Sequence, residues 1–461
     1  MKSKFISKTG SKRLILIYAG WAMDDKPFDG LERPGYDLAV IWDYRDFLLD
    51  WDFIHSYREV CLLAWSLGVY AASVTFTAYE HLLTKRIAVN GTVFPVDRML
   101  GIPPGVFSGT KNNLDERNLR KFYRRVCGSK QNFERFSENM PVRPVDELYD
   151  ELDGFLKGFM LGCGRELKWD LALISSDDAI FPPVNQWRAW LRTPFRMNDG
   201  PHLPDFQTII DKNIVDKDMM TERFDRGLVS YDNQADVQNR VVERVVRLLH
   251  GDIAEHVGRR GARVLEIGSG TGLLSKGLDS ICKDSYLEMW DIAGNAPVSG
   301  SLRCFRRADA EIEIMHQPAK TFDMIISAST VQWFNSPVRF LNECLRVAAH
   351  GGYVLLTSFV RGNLGSVAMS TGKSLPLLSA EEWRRIMPEG LELKYLHQYD
   401  DELVFDNALD VFRHLRLTGV DSLGRSGSGI NPVSAIRHFE PDLDGKYRLC
   451  YKPIIMLMRK K

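Results

Sequence analysis

At 461 residues the chain is longer than one hydrophobic core supports, which implies two domains or more. It is 44% hydrophobic and 26% charged with a formal net charge of zero, so no global charge draws it to nucleic acid or to a membrane surface. Its seven cysteines are odd in number and scattered, which suggests neither a disulfide framework nor a metal cluster; reduced thiols in a cytoplasmic protein with no metal site are expected.

The first apolar run, Leu14 to Ala19, is short and lacks a cleavage site, so it reads as a strand and not as a signal peptide. No segment reaches the roughly 20 apolar residues that span a bilayer. Leu14 to Tyr18 leads into Ala19-Gly20-Trp21-Ala22-Met23, and Leu38 to Trp42 reads as another strand. Next, Cys61 to Trp65 runs into Ser66-Leu67-Gly68 and a small-residue helix. Strands alternating with helices imply a largely parallel sheet. A serine at a sharp strand-to-helix turn resembles the nucleophile elbow of the α/β-hydrolases, with Ala64 in the first place of the usual GxSxG. That resemblance implies an acid and a histidine further along. The strand Leu171 to Ser176 leads to Asp177 and Asp178, and His202 follows 24 residues after Asp178. Counting back from Pro182 by the family pattern selects Asp178 over Asp177. In this reading Ser66 attacks an ester carbonyl, His202 carries the proton, Asp178 holds the imidazole, and the backbone N–H groups of Trp21 and Leu67 meet the oxyanion.

After the strand Arg86 to Gly91, residues 105 to 161 are helical and charged, in the place where hydrolases carry a cap. Lys111, Arg117, Arg120, Lys121, Arg124 and Arg125 lie close together, either as a solvated face or as a docking surface for an acidic partner. The Tyr18-Ala19-Gly20-Trp21 start, the Ala64-Trp65-Ser66-Leu67-Gly68 elbow and Gly200-Pro201-His202 resemble the esterases that hydrolyse pimeloyl-acyl-carrier-protein methyl ester in biotin synthesis. The similarity covers residues 1–210. Residues 211–221 show no strong periodicity and are expected to be a linker.

In the remaining part, residues 222–461, Val264 to Ile267 is an apolar strand that enters Gly268-Ser269-Gly270-Thr271-Gly272 and then a helical pattern. Glycines at this turn let the backbone approach a ligand and adopt positive φ. The spacing, with Glu266 two residues before the first glycine, resembles motif I of class I S-adenosylmethionine methyltransferases, whose Rossmann-like fold is therefore expected. The resemblance implies that Glu266, Gly268, Gly270 and Gly272 hold the methionine part. It places Asp291, ending the strand Tyr286 to Asp291, on the ribose and Asp309 near the adenine. Phe224 and Tyr231 ahead of an amphipathic helix, the Val331-Gln332-Trp333 triplet and His414 to Val420 are similar to the malonyl-carrier-protein O-methyltransferases. In that family the opening segment covers the cofactor pocket; Tyr231 then contacts cofactor or substrate, or else closes a core, and Gln332 and Trp333 are candidates for the substrate. Tyr447 to Met458 is read as one last strand, and Gly362 to Ser366 has no assigned role.

The two resemblances name opposite steps, one masking a carboxylate as a methyl ester and one unmasking it. Together they imply a bifunctional enzyme of biotin synthesis that uses S-adenosylmethionine and meets acyl carrier protein carrying malonyl or methyl-pimeloyl groups. A different ester and carboxylate pair, or a non-catalytic docking module ahead of a methyltransferase, are the other readings of the same residues.

Overall fold

A computed structural model of the chain describes residues 1–161, 167–231, 235–294, 296–371, 375–418 and 436–461, with the backbone alone described for 226–231. Cys163, Gly419 and Val420 lie outside the described residues, as does the side chain of Tyr231. The chain divides into two compact units, Met1–Asp211 and Lys212–Lys461.

The first unit is built on the strands β1 (Lys2–Ser7), β2 (Arg13–Tyr18), β3 (Asp37–Trp42), β4 (Glu59–Trp65), β5 (Lys85–Val89), β6 (Leu171–Ser175) and β7 (Phe195–Asn198). They form one sheet in the order β1-β3-β2-β4-β5-β6-β7, parallel throughout except for β1. Strands β3 to β6 are buried along their whole length, as expected of uninterrupted apolar runs covered on both faces. The edge strand β1 has no such run; Lys2 and Lys4 face water. Sequence order reverses at the β2–β4 pair, where the strand ends open a crevice suited to a ligand. Four helices, Pro104–Asn112, Glu116–Cys127, Lys130–Glu138 and Val145–Met160, are inserted between β5 and β6.

The second unit carries β8 (Arg263–Ile267), β9 (Tyr286–Asp291), β10 (Arg303–Arg307), β11 (Phe322–Ser327), β12 (Ala348–Phe359), β13 (Leu391–Gln398), β14 (Asp401–Phe405), β15 (Tyr447–Tyr451) and β16 (Pro453–Lys460). Its main sheet has the order β10-β9-β8-β11-β12-β16-β13, with β16 antiparallel to both neighbours. Alternation along the strands sends Leu265, Ile325, Val354 and Met456 into one core, and Val264, Met324, Leu355 and Ile455 into the core on the opposite face.

One expectation is corrected here. The last strand is broken at Lys452: β15 pairs with β14 in a separate two-stranded sheet, while β16 enters the main one. Pro453 lacks an N–H and restricts the residue before it, so the ladder cannot run through. The unexplained stretch Gly362 to Ser366 clasps this break, with Asn363 Oδ1 accepting from the Lys452 N–H at 2.8 Å and the Leu364 N–H donating to Cys450. Residues 211–221, where the two units meet in sequence, contribute to the helices Phe206–Asn213 and Lys217–Tyr231, and Val215 and Met220 are buried against Trp333.

Among the described residues, no helix is long and apolar enough to cross a membrane.

Candidate active sites

In the first unit, β4 ends at Trp65 and the helix Leu67–Phe76 begins at once, which forces Ser66 to φ 59°, ψ −131°. Such a value is strained for a non-glycine residue and persists only where the surroundings hold it. They do so closely. A Cβ on Gly68 would collide with the Tyr18 and Ala19 carbonyls, and one on Gly91 with the Ser66 carbonyl. Gly68 is thus the indispensable small residue of the elbow, while Ala64 fits within the buried strand, paired with Tyr18 and Ala88.

The Ser66 Oγ lies 2.9 Å from His202 Nε2, and His202 Nδ1 lies 2.9 Å from Asp178 Oδ2. All three side chains are buried. The Asp178 carboxylate also accepts from the backbone N–H groups of Ile180 and Phe181 and from Gln186 Nε2, each at 2.8–2.9 Å. Asp177 is exposed. Behind the imidazole, Phe181 stacks at 6.2 Å, and the His202 carbonyl accepts from Trp65 Nε1 and Asn90 Nδ2. Leu67 opens its helix, so its N–H has no carbonyl one turn back to bond. Gly20 approaches Ser66 so closely that a Cβ there would lie 3.1 Å from the serine Cβ, which brings the turn that follows β2 against the Ser66 side chain. Gln186 and Asn90 escaped the sequence reading. Neither belongs to a motif; only Asn90, at φ 47° just after an apolar strand, occupies a position where an unusual residue type could have drawn notice.

In the second unit, the carboxyl ends of β8, β9 and β11 open into a cavity lined by Gly268, Gly270, Asp291, Asp309, Ser329 and Trp333, among others. The glycines sit at φ +76°, +51° and +88° for Gly268, Gly270 and Gly272. A Cβ on Gly268 would collide with Thr330, and one on Gly272 would lie 2.5 Å from Pro297. Gly272 then starts the helix Leu273–Ile281. The turn is tied to β9: Gly270 N–H donates to Asp291 Oδ2 and Gly268 N–H to the Trp290 carbonyl. Burial raises the Asp291 carboxyl, with the Ala293 and Gly270 amides opposing it.

Glu266 and Gly272 stand behind the cavity wall rather than in it. Glu266 is fully buried, and burial pushes its carboxyl up to about 8; the Ser275 hydroxyl opposes this and the Asp291 charge adds to it. Neither Glu266 oxygen nor the Ser275 hydroxyl completes a hydrogen bond. Asp309, an acidic loop residue that sequence alone would leave to solvent, is buried and engaged. It caps the helix Ala310–Glu313 and receives Lys217 Nζ at 2.7 and 2.8 Å, while the same ammonium lies 2.5 Å from Glu311. Lys217 falls in the expected linker and was missed; with Met220 and Phe224 it marks one helical face, the signal that was available. Trp333 lines the cavity and meets Phe224 edge-on at 5.5 Å. Gln332 does not reach the cavity: its Nε2 turns back to the Ser329 carbonyl at 2.6 Å. His414 is equally remote in role, buried against Tyr451, with its imidazole lowered by burial.

The positive-φ glycine turn at the cavity wall and the buried Glu266 carboxyl behind it, which completes no hydrogen bond among the described residues, fit a ligand carrying a cationic end, such as the amino-acid part of S-adenosylmethionine.

A family model described as pimeloyl-ACP methyl esterase BioG matches residues 1–206, and one described as a methyltransferase domain matches residues 265–356. The second unit is accordingly a class I methyltransferase domain whose cofactor is S-adenosylmethionine. The chain is similar to the crystal structure of BioG from Haemophilus influenzae, at 38% identity over 44% of this chain and 94% of that one, with a TM-score of 0.41. It is also similar to the malonyl-[acyl-carrier protein] O-methyltransferase of Chlorobium phaeovibrioides, at 29% identity over 54% of this chain and 98% of the relative. A malonyl-[acyl-carrier protein] O-methyltransferase of Bacteroides fragilis is 32% identical over 98% of this chain and 93% of its own length, through both units, and on that match the chain belongs to the malonyl-[acyl-carrier protein] O-methyltransferase family.

Proposed function

We propose that the chain is a bifunctional enzyme of biotin synthesis. Its second unit methylates the free carboxylate of malonyl-[acyl-carrier protein], and its first, an α/β-hydrolase with a helical cap, hydrolyses the methyl ester of pimeloyl-[acyl-carrier protein]. The observation that carries the second activity is the unbroken line of hydrogen bonds from Ser66 through His202 to Asp178, each near 2.9 Å and sealed from solvent. For the pairing with methyl transfer, the support is a relative of that name matched over the length of the chain.

In hydrolysis, Ser66 Oγ bonds to the ester carbonyl carbon while its proton passes to His202 Nε2. The N–H groups of Leu67 and Trp21 receive the oxyanion, and the proton returns to the departing methanol. Water then repeats the sequence and frees the acid. Asp178 fixes the tautomer through Nδ1, and Gln186 with the Ile180 and Phe181 amides fixes Asp178.

In methylation, S-adenosylmethionine supplies an electrophilic methyl group. Glu266 and the glycine turn would hold its amino-acid end, Asp291 the ribose and Asp309 the adenine side. The substrate carboxylate is already ionised at neutral pH, with an ordinary pKa of about 4, so the residues must align it and exclude water rather than remove a proton. Phe224 and Trp333 form an apolar part of the cavity suited to that exclusion. We assign substrate positioning to Trp333, with Tyr231 as a second candidate. A methyl ester also spares the growing chain the cost of burying a charge in apolar channels.

The test follows product mass. The purified chain is given S-adenosylmethionine with malonyl-carrier protein and, separately, pimeloyl-carrier methyl ester; both reactions are expected, and Ser66→Ala should abolish only the second. Methyl transfer without hydrolysis would return the first unit to a docking role or to another ester.

A further inference from the structure

We infer that the helical insertion assembles the oxyanion loop of the first unit, with Tyr123 as a positioning residue for hydrolysis. This rests on the esterase reading above.

The loop that follows β2 is gripped at four successive residues by three parts of the insertion: the helix Glu116–Cys127, the helix Val145–Met160 and the segment before the latter. Trp21 Nε1 donates to the Leu148 carbonyl at 3.0 Å, and the Tyr123 hydroxyl donates to the Ala22 carbonyl at 2.9 Å. Arg143 Nη1 donates to the Met23 carbonyl at 3.3 Å, and the Val142 N–H donates to Asp24 Oδ2 at 2.8 Å. The Trp21 ring also meets Phe122 edge-on at 4.8 Å. This loop has little reason to hold its shape alone, because Ala22 sits at φ +67°, where a non-glycine residue is strained. Within the turn the backbone closes on itself through Met23 N–H to the Gly20 carbonyl, a long bond at 3.3 Å. The neighbouring amide, that of Trp21, is the proposed oxyanion donor, and its aim depends on how Ala22 is held.

The helix Glu116–Cys127 reaches the other half of the machinery too. The Val126 carbonyl accepts from the Leu203 N–H at 2.9 Å, one residue beyond His202. Tyr123 and Val126 are one helical turn apart, so a single buried face of this helix spans the distance between the oxyanion turn and the histidine loop. A lid that swung away would release Ala22 and Leu203 together. The insertion is therefore a strut of the catalytic geometry.

The experiment is Tyr123→Phe in the full chain, which removes one hydroxyl and leaves the ring. We expect kcat for a short nitrophenyl ester to fall about tenfold with KM within about twofold, the cost of misplacing a transition-state donor. Affinity for a trifluoromethyl ketone analogue, which places an oxyanion in the hole, should fall by a similar factor. Unchanged kcat and ketone affinity in a folded variant would overturn the proposal, as would a loss confined to KM. If Tyr123→Phe does not fold, Trp21→Phe removes the indole bond to Leu148 and must show the same split. Hydrolysis that survives Ser66→Ala in this assay would strike the esterase reading itself, whatever Tyr123 does.

Discussion

Asp178 and Glu266 are both carboxyl groups shut away from water, one in each unit, and their surroundings treat them in opposite ways. Asp178 has two backbone amides, a carboxamide and an imidazole around it. Glu266 completes no hydrogen bond among the described residues, and burial raises it to about 8. The first has its hydrogen-bond positions filled from four sides. The second stands behind the wall of the cavity, and in the proposed reading it is the group that a cationic ligand would complete. Chemistry that moves protons needs its groups fixed beforehand, whereas a cofactor site can leave a polar group waiting for the cofactor's own charge.

The comparison breaks most sharply at Ser66. Replacing it by alanine should lower ester hydrolysis by about four orders of magnitude or more while leaving methyl transfer untouched. The next largest effect is expected at Lys217→Met, which removes the ammonium that neutralises the buried Asp309 and Glu311 carboxylates. A loss of about 3–5 kcal/mol in the stability of the methyltransferase unit is expected, read by denaturant unfolding. Gly268→Ala asks a side chain to occupy φ +76° and the space of Thr330; it should weaken S-adenosylmethionine binding about 100-fold by calorimetry, with hydrolysis unchanged.

The smallest effect sharpens the contrast through pH. Because the folded pKa of Glu266 lies above that of an unfolded glutamate, ordinarily near 4.5, the folded state keeps a proton that the unfolded state releases. Stability contributed by this group is therefore full below the unfolded value and is lost as pH rises toward about 8. Glu266→Gln should remove that loss, so the ligand-free variant melts a few degrees above the parent near pH 8 and at the same temperature near pH 4. In the parent, cofactor binding near neutral pH should release a proton, visible as a buffer-dependent enthalpy; a buffer-independent enthalpy would show that Glu266 is already ionised.

Much of both sites was legible because their residues sit at fixed offsets from strand ends. Ser66 after β4, Asp178 after β6, His202 after β7 and the glycines after β8 are placed by local backbone geometry, which a sequence carries within a few residues. The edge strands Lys2–Ser7 and Arg303–Arg307 were not legible, since one exposed side removes the apolar run that marks a strand. The break at Lys452 was hidden inside an apolar stretch whose two halves join different sheets.

Sequence alone determined which residues could form an elbow, a triad and a glycine turn, because those depend on residue type and short spacing. Tertiary structure decided the rest. It set Gln186 on Asp178 and Asn90 behind His202, drew Lys217 from an expected linker onto Asp309, turned Gln332 away from the cavity, and laid Tyr123 on Ala22. Each of these contacts joins side chains or carbonyls that lie on different elements, or emerge from a turn in an unforeseen direction. Burial fixes such pairings only once the elements have packed.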